Sequence, residues 1–349
     1  MEKALIAMSG GVDSSVAAFL AMEQGLICCG GTMLLWDDSP TATKDAQAVA
    51  ERLSIPFYSF DATSLFRQQV VEPFIASYEQ GLTPNPCIRC NCHLKFSWLL
   101  DQALELGCDY VVTGHYARLC KDDSTGRTLL FTAPDKAKDQ SYFLAGLNQH
   151  QLSHSLFPLG DLTKEQVRMI AEAQGFLNAR KKDSQDICFI PDGDYKAFME
   201  QYTGKTYPKG DFLDENGKII GCHNGAVGYT LGQRKGLGLA MGRPVYVCAK
   251  DMQANTVTVG AEDKLFAKTL FAENCNFIPF DDLTAPIRVT AKARSRHIAQ
   301  PAAVFPTKNG IRVEFDEPQR AITPGQAVVL YDGDLVIGSG TITGAEYNA

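Results

Sequence analysis

Two stretches of this 349-residue chain concentrate side chains that can do chemistry. The first is Ser9-Gly10-Gly11-Val12-Asp13-Ser14-Ser15, set between the apolar run "ALIAM" at residues 4–8 and a helical pattern. A loop that leaves a strand's carboxyl end and enters a helix offers an anion free N–H groups and the positive end of the helix dipole. Gly10 and Gly11 let the backbone approach a phosphate and adopt positive φ. Ser9, Ser14 and Ser15 can donate hydrogen bonds. Asp13 beside a phosphate calls for an intervening cation, and magnesium is the expected one. A plain turn with a serine cap would leave the aspartate and the extra hydroxyls unexplained. No Lys follows the glycines, and the G-x-G-x-x-G spacing is absent, so the loop is neither a Walker A loop nor a dinucleotide fingerprint.

The second stretch is "GLTPNPCIRCNCHLKF", residues 81–96, with Cys87, Cys90 and Cys92 in a segment read as a loop over 80–92. A zinc knuckle would have to recruit His93, because no second C-x-x-C completes four ligands. Incidental buried thiols are the other alternative, and the two prolines around Asn85 favour a rigid exposed loop instead. A further cysteine, Cys188, lies in "KKDSQDICFIP", residues 181–191. Arg180, Lys181 and Lys182 would favour its thiolate, while Asp183 and Asp186 oppose it. Spacing alone does not pair Cys188 with Cys90. The chain has eleven cysteines. A cytoplasmic location is expected, so a disulfide framework is not, and Cys28, Cys29 and Cys248 read as core.

The elements that must hold these residues alternate over residues 1–115. Strands are expected at Leu5–Met8, Leu26–Leu35, Pro56–Phe60 and Tyr110–Thr113, and helices at Ser14–Gln24, Lys44–Leu53, Leu65–Tyr78 and His93–Leu106. Such alternation implies an α/β fold with a doubly wound parallel sheet. Thr163 and Gln166 have capping-box spacing ahead of a helix at Lys164–Gln174, stopped by Gly175. After residue 200 long helical patterns vanish, and "DENG" (214–217) and "DGD" (332–334) read as hairpin turns. The expected organisation is a catalytic domain over 1–200, with a helical excursion near 158–178 placed toward the central domain. A small β domain over 201–271 and a further β domain over 272–349 follow.

Apolar residues make up 45% and charged residues 21%, which suits a globular enzyme. No apolar run approaches the ~18 residues of a membrane span. Net charge is −7, which argues against a uniformly basic nucleic-acid coat. Charge is uneven, however: "RVTAKARSRH" at 288–297 has four basic residues and no acid.

"SGGVDSS" resembles the pyrophosphatase loop of the PP-loop ATP-pyrophosphatase superfamily. With "TPNPCIRCN", "VTGHYAR" (112–118), "KDQSYFL" (138–144), "DSQDICFI", "GYTLGQRKGLG" (228–238) and "TPGQAVVLYDGD" (323–334), in order over residues 3–344, the chain resembles the tRNA-specific 2-thiouridylase family. That resemblance implies a PP-loop domain followed by two mainly-β domains, the last a β-barrel. It implies adenylation of the C2 oxygen of the wobble uridine of tRNA by ATP, then sulfur transfer from a persulfide supplied by a cysteine desulfurase or relay protein. It assigns the persulfide to Cys188 and the partner nucleophile to Cys90, with a Cys90–Cys188 disulfide on release. It assigns ATP to Ala7, Met8, Ser9, Gly10, Gly11, Val12, Asp13, Ser14, Met33 and Gly114. Asn85, Pro86 and Cys87 would face the target base, and His115, Lys138, Asp139, Gln140, Arg294, Ser295 and Gln326 would contact tRNA. Many relatives carry Asp at the position of Cys87, which leaves open an iron–sulfur cluster on Cys87, Cys90 and Cys188. A small-molecule adenylating synthetase of the same superfamily and a non-catalytic zinc-bearing RNA-binding protein are the rival readings.

Overall fold

The computed structural model describes residues 1–36, 40–179, 181 and 187–347. Its first layer is a five-stranded parallel sheet. Strands β1 (Lys3–Ala7), β2 (Ile27–Leu34), β3 (Phe57–Asp61) and β4 (Tyr110–Val112) are joined by a short strand at Ser155–Leu156, in the order β3-β2-β1-β4-155–156. Ala4, Leu5 and Ile6 are fully buried because helices cover both faces, which is why β1 reads as an unbroken apolar run. Strand order reverses between β1 and β4, so a crevice opens outside the carboxyl ends of these two strands, where ligands of such sheets bind.

Helix α1 (Val12–Glu23) follows β1 and presents the small residues Ala17, Ala18 and Ala21 to the core. The expected helix near 164 is present as Lys164–Ala173, with the Thr163–Gln166 capping box formed. Rather than reaching toward the central domain, it packs on α1 through Val167 and Ala171, because its apolar stripe matches the alanine face of α1. This contact brings Lys164 to the PP-loop.

The segment 80–92 is not all loop. Asn85 caps a helix at Pro86–Cys90, its side chain accepting the Ile88 N–H at 3.3 Å, and Pro86 occupies the first turn, where a missing N–H costs nothing. The helix continues as a π-helix at Asn91–Trp98 and then as an α-helix to Glu105. A second π-segment, Arg67–Val71, lies beside it, and Arg89 Nε donates to the Gln69 carbonyl at 2.8 Å.

The later half is β, as expected. A four-stranded sheet pairs Gly210–Leu213 with Ile219–His223 across the "DENG" turn, and Tyr246–Asp251 with Thr256–Gly260. Six antiparallel strands from Phe266 to Tyr347 close into a barrel, the first (Phe266–Phe277) pairing with the last (Leu335–Tyr347). A hairpin from the catalytic region, Ala117–Lys121 with Thr128–Thr132, extends this barrel's sheet through Leu335 and Phe131. Hydrogen bonds seal the junction. Asn276 Nδ2 donates to Ala145 O (2.9 Å) and Leu147 O (3.0 Å), Tyr142 Oη to Ala327 O (2.8 Å), and Arg127 Nε to Ile278 O (2.8 Å). Among the described residues no helix is long and apolar enough to cross a membrane.

Replacing Asn276 by Ala strips two half-buried carbonyls of their donor. A loss of about 1–3 kcal/mol is expected, read as a lower urea midpoint with unchanged slope.

Candidate active site

The crevice at the sheet's switch point is lined by Ala7, Met8, Ser9, Asp13 and Ser14 from the first loop and Gly31, Thr32 and Met33 from β2. Thr113, Gly114, His115 and Gln140 form the opposite wall, with Lys95 and Leu99 between. Of the residues expected around ATP, Ala7, Met8, Ser9, Asp13, Ser14, Met33 and Gly114 line it. Gly10, Gly11 and Val12 support it from behind. Gly10 has φ of +70° and lies against the Ala42 backbone, whose carbonyl oxygen would be 2.4 Å from a Cβ. Gly114 meets the other wall: a Cβ there would lie 2.7 Å from the Asp13 carbonyl carbon. The two loops therefore touch backbone to backbone.

Partners far away in sequence hold the first loop. Ser14 and Ser15 hydroxyls both donate to Gly11 O at 3.0 Å. Asn178 Nδ2 donates to Ser15 Oγ (2.9 Å) and Gly10 O (3.2 Å). Asp13 takes Lys164 Nζ on both oxygens (2.7 and 2.9 Å) and the Tyr116 hydroxyl on Oδ1 (2.8 Å). The cation beside Asp13 is thus Lys164, which is only 8% exposed. That occupied carboxylate is a poor fit for a protein-bound magnesium. Among the described residues no three His, Cys, Asp or Glu side chains are arranged to hold a metal.

Three thiols, Cys87, Cys90 and Cys188, lie within electrostatic reach of Lys95, which lines the crevice. Cys87 is exposed and Cys90 buried one turn later on the same helix. Cys188 is exposed and follows Ile187 in the aromatic cluster that also contains Cys90, Phe189 and Ile190. Desolvation by surrounding protein, then the neighbouring thiols Cys90 and Cys87, push the Cys188 thiol up to about 11, while Lys95 opposes. Desolvation also raises Cys87 and Cys90, again against the charge of Lys95. Of the run expected to favour the Cys188 thiolate, only Lys181 is among the described residues. Lys181 Nζ binds Asp45 (2.8 Å) and Gly10 O (3.4 Å), and Arg180, Lys182, Asp183 and Asp186 lie outside the described residues. Cys92 belongs to a different core cluster, beside Gly146, so a knuckle of Cys87, Cys90, Cys92 and His93 does not assemble.

Residues 2–192 match the tRNA methyl transferase HUP domain, 196–261 the tRNA methyl transferase PRC-barrel domain, and 267–342 the aminomethyltransferase beta-barrel domain. The tRNA-specific 2-thiouridylase MnmA of Acetivibrio thermocellus is 46% identical over 98% of this chain and 99% of its own length. Its counterpart from Moorella thermoacetica is 48% identical over 97% and 98%. The chain belongs to the tRNA-specific 2-thiouridylase family.

Several of the residues that the family resemblance assigned to RNA have internal partners. His115 is buried between Phe96 and Phe157, and its Nδ1 lies 2.7 Å from Thr113 Oγ1. Desolvation, then Lys95, hold its pKa well below the ordinary value, so it is neutral at neutral pH. Asp139 accepts the Ala133 N–H and the Ser141 hydroxyl, and Gln140 Oε1 accepts the Tyr116 N–H. Gln326 Nε2 donates to Thr83 O at 2.8 Å, tying the barrel to the approach of the thiol helix. Pro86 is buried and Asn85 is a cap, so Cys87 is the one exposed member of that trio. Arg294, expected at phosphate, instead donates to Leu231 O (3.1 Å) and the Thr323 hydroxyl. Lys138 is half-buried near the rim. Ser295 and Arg296 line a cleft with Lys292, His297 and Lys136 between the barrel and the catalytic region.

Asp13→Ala strands a buried ammonium and should cost about 3–5 kcal/mol of unfolding free energy together with ATP affinity. The double variant Asp13→Ala/Lys164→Met should recover stability but not ATP binding. Thermal melts and calorimetric titration with ATP read the two effects separately.

Proposed function

We propose that this protein places sulfur on C2 of the wobble uridine of tRNA, using ATP and a protein persulfide. The observation that supports the reading is that Cys188 lies within electrostatic reach of Cys90, 98 positions away in sequence, and of Lys95, which lines the crevice between β1 and β4. Methyl transfer, the word in two of the domain descriptions, needs no such thiol pair.

In the proposed sequence the uridine O2 attacks the α-phosphorus of ATP held over the Ser9–Ser14 loop, and pyrophosphate leaves. Free N–H groups at the start of α1 receive its charge. ATP would bring magnesium, if any, on its own phosphates, and no step requires a metal cage from the chain. Cys188 carries a sulfane sulfur from a donor protein, a cysteine desulfurase or a relay. The terminal persulfide sulfur attacks C2, the C2–O bond breaks and AMP leaves with the oxygen. Cys90 as thiolate then attacks Cys188 Sγ. The bond between Sγ and the sulfane sulfur breaks, the electron pair passes to the sulfur on C2 as a thiocarbonyl, and a Cys90–Cys188 disulfide remains. A thiol reductant resets it. This is covalent catalysis that divides one displacement into two.

The surrounding residues fit these roles. The uridine must leave the anticodon stack to reach the crevice, and exposed Cys87 stands where it would enter. Lys292 and Arg296 supply positive charge for the phosphate backbone of tRNA in a cleft that also holds Asp139 and Asp334, despite the net charge of −7.

Tryptic mass spectrometry after incubation with a desulfurase and cysteine should find the persulfide on Cys188. Cys188→Ser should lose it. Cys90→Ser should retain it yet yield no 2-thiouridine on nucleoside analysis. Cys87→Ser should keep much of its activity; an inactive Cys87→Ser protein together with iron bound to the wild type would replace this scheme with a cluster. Arg296→Glu should weaken tRNA binding and flatten its salt dependence by about 0.7–0.9 in slope, the share of one phosphate contact.

A further inference from the structure

Lys95 stands at a junction that the residues assigned so far do not account for. It lines the crevice among Ser9, Asp13, Ser14, Gly114 and Gln140, and it lies on the helical run that carries Cys87 and Cys90. It is half-buried. Among the described residues no carboxylate pairs with it, in contrast to Lys164, whose charge is committed to Asp13. A half-buried ammonium facing a cleft without a counterion is costly unless a ligand supplies the negative charge.

The π-helix explains how one side chain reaches both places. Lys95 is five residues after Cys90. In an α-helix, five residues turn well past a full circle and would carry Lys95 off the thiol face. The π-helix spaces its hydrogen bonds i→i+5, as in Leu99 N–H to Leu94 O. Five residues then approximate one turn, and Lys95 returns toward the side of Cys90. The electrostatics agree: among the described residues Lys95 is the one cation that acts on Cys87, Cys90 and Cys188 together, and it also acts on His115 across the crevice.

We propose that Lys95 is the cation shared by the two halves of the reaction, offsetting the α-phosphate charge on the crevice side and the sulfur anions of Cys90 and Cys188 on the other. The inference rests on the sulfur-transfer reading above. In that reading an anionic persulfide must approach a carbon bonded through oxygen to an anionic phosphate, and two like charges brought together at low dielectric repel strongly. A fixed ammonium between them lowers the repulsion as C2–S forms and C2–O breaks, and the proton inventory is unchanged because Lys95 stays charged throughout. The same ammonium keeps part of the thiol population ionised where burial and the neighbouring thiols work against it.

The test uses the full-length protein with Lys95→Gln and Lys95→Arg. Pulse alkylation with iodoacetamide, read cysteine by cysteine by mass spectrometry across pH, needs no tRNA, ATP or sulfur donor. Among the described residues the titratable and charged groups acting on Cys188 are Cys90, Cys87 and Lys95, and loss of the last removes its opposition to the raised thiol pKa. Lys95→Gln should shift the Cys188 profile to higher pH and slow its alkylation at pH 8 several-fold, and Lys95→Arg should restore it. In the complete reaction, Lys95→Gln should lower tRNA-dependent AMP release at least tenfold, with Lys95→Arg intermediate. Circular dichroism melts confirm that the variants fold. An unchanged Cys188 profile, or unchanged AMP release, overturns the shared role. If wild type forms no 2-thiouridine, the functional reading fails instead, and the alkylation profiles still report the charge at the thiols.

Discussion

Everything at the crevice depends on two loops touching backbone to backbone. Gly114, just after β4, lies so close to Asp13 that even a methyl group would overlap the main chain. That contact sets the width of the nucleotide site, and it is rigid because each loop is anchored from behind. Asn178 and Lys181 grip Gly10 and Ser15, while Lys164 and Tyr116 grip Asp13. A phosphate-binding loop must present N–H groups without internal partners. Such a loop has little cohesion of its own, so distant side chains supply the order that its own hydrogen bonds cannot.

A second consequence runs through the barrel. The Thr323–Gly325 turn docks on Thr83 and Pro84: Thr83 N–H donates to Pro324 O at 2.9 Å, and Gln326 adds the bond to Thr83 O. Asn85 follows and caps the helix of Cys87 and Cys90. The barrel thereby helps to set where the thiol helix begins. On the other side Arg294 joins the barrel to Leu231 of the central domain, so an arginine in a basic run is a bracket between domains. RNA bound across this face would press on the same loops that position the thiols, which gives a physical route from docking to chemistry.

The parts legible in the sequence were those whose chemistry is local. Ser9–Ser14 is contiguous and sits between a strand and a helix, so its place at the crevice followed from the fold class. The Thr163–Gln166 box marked a helix correctly for the same reason. What could not be read was set by packing. Nothing near Lys164 announces that its ammonium reaches Asp13, because that depends on an alanine face of α1 that accepts the helix. Pro84 and Pro86 were read as loop formers, yet a proline in the first helical turn after an Asn cap is compatible with a helix start. The hairpin at 117–132 alternates and carries a turn at 122–126, a signal that was present but lay past the last strand sought. The internal bonds of Arg294 to Leu231 and Thr323 were not legible either, because a count of charges says nothing about burial.

The π-helix is the least legible feature and the one with the most consequence for the site. No residue type in Asn91–Trp98 demands it, and an α-helix of the same sequence would be the default. Its cost is tolerable because the segment is braced: Asn91 Nδ2 donates to Phe143 O, Gln151 Nε2 donates to Cys92 O, and Leu94 and Phe96 are fully buried in separate clusters. Burying those two side chains on different sides constrains the turn between them, and the wider winding satisfies both while swinging Lys95 toward Cys90 and the crevice. A helix register chosen by core packing thus brings Lys95 to the lining of the crevice.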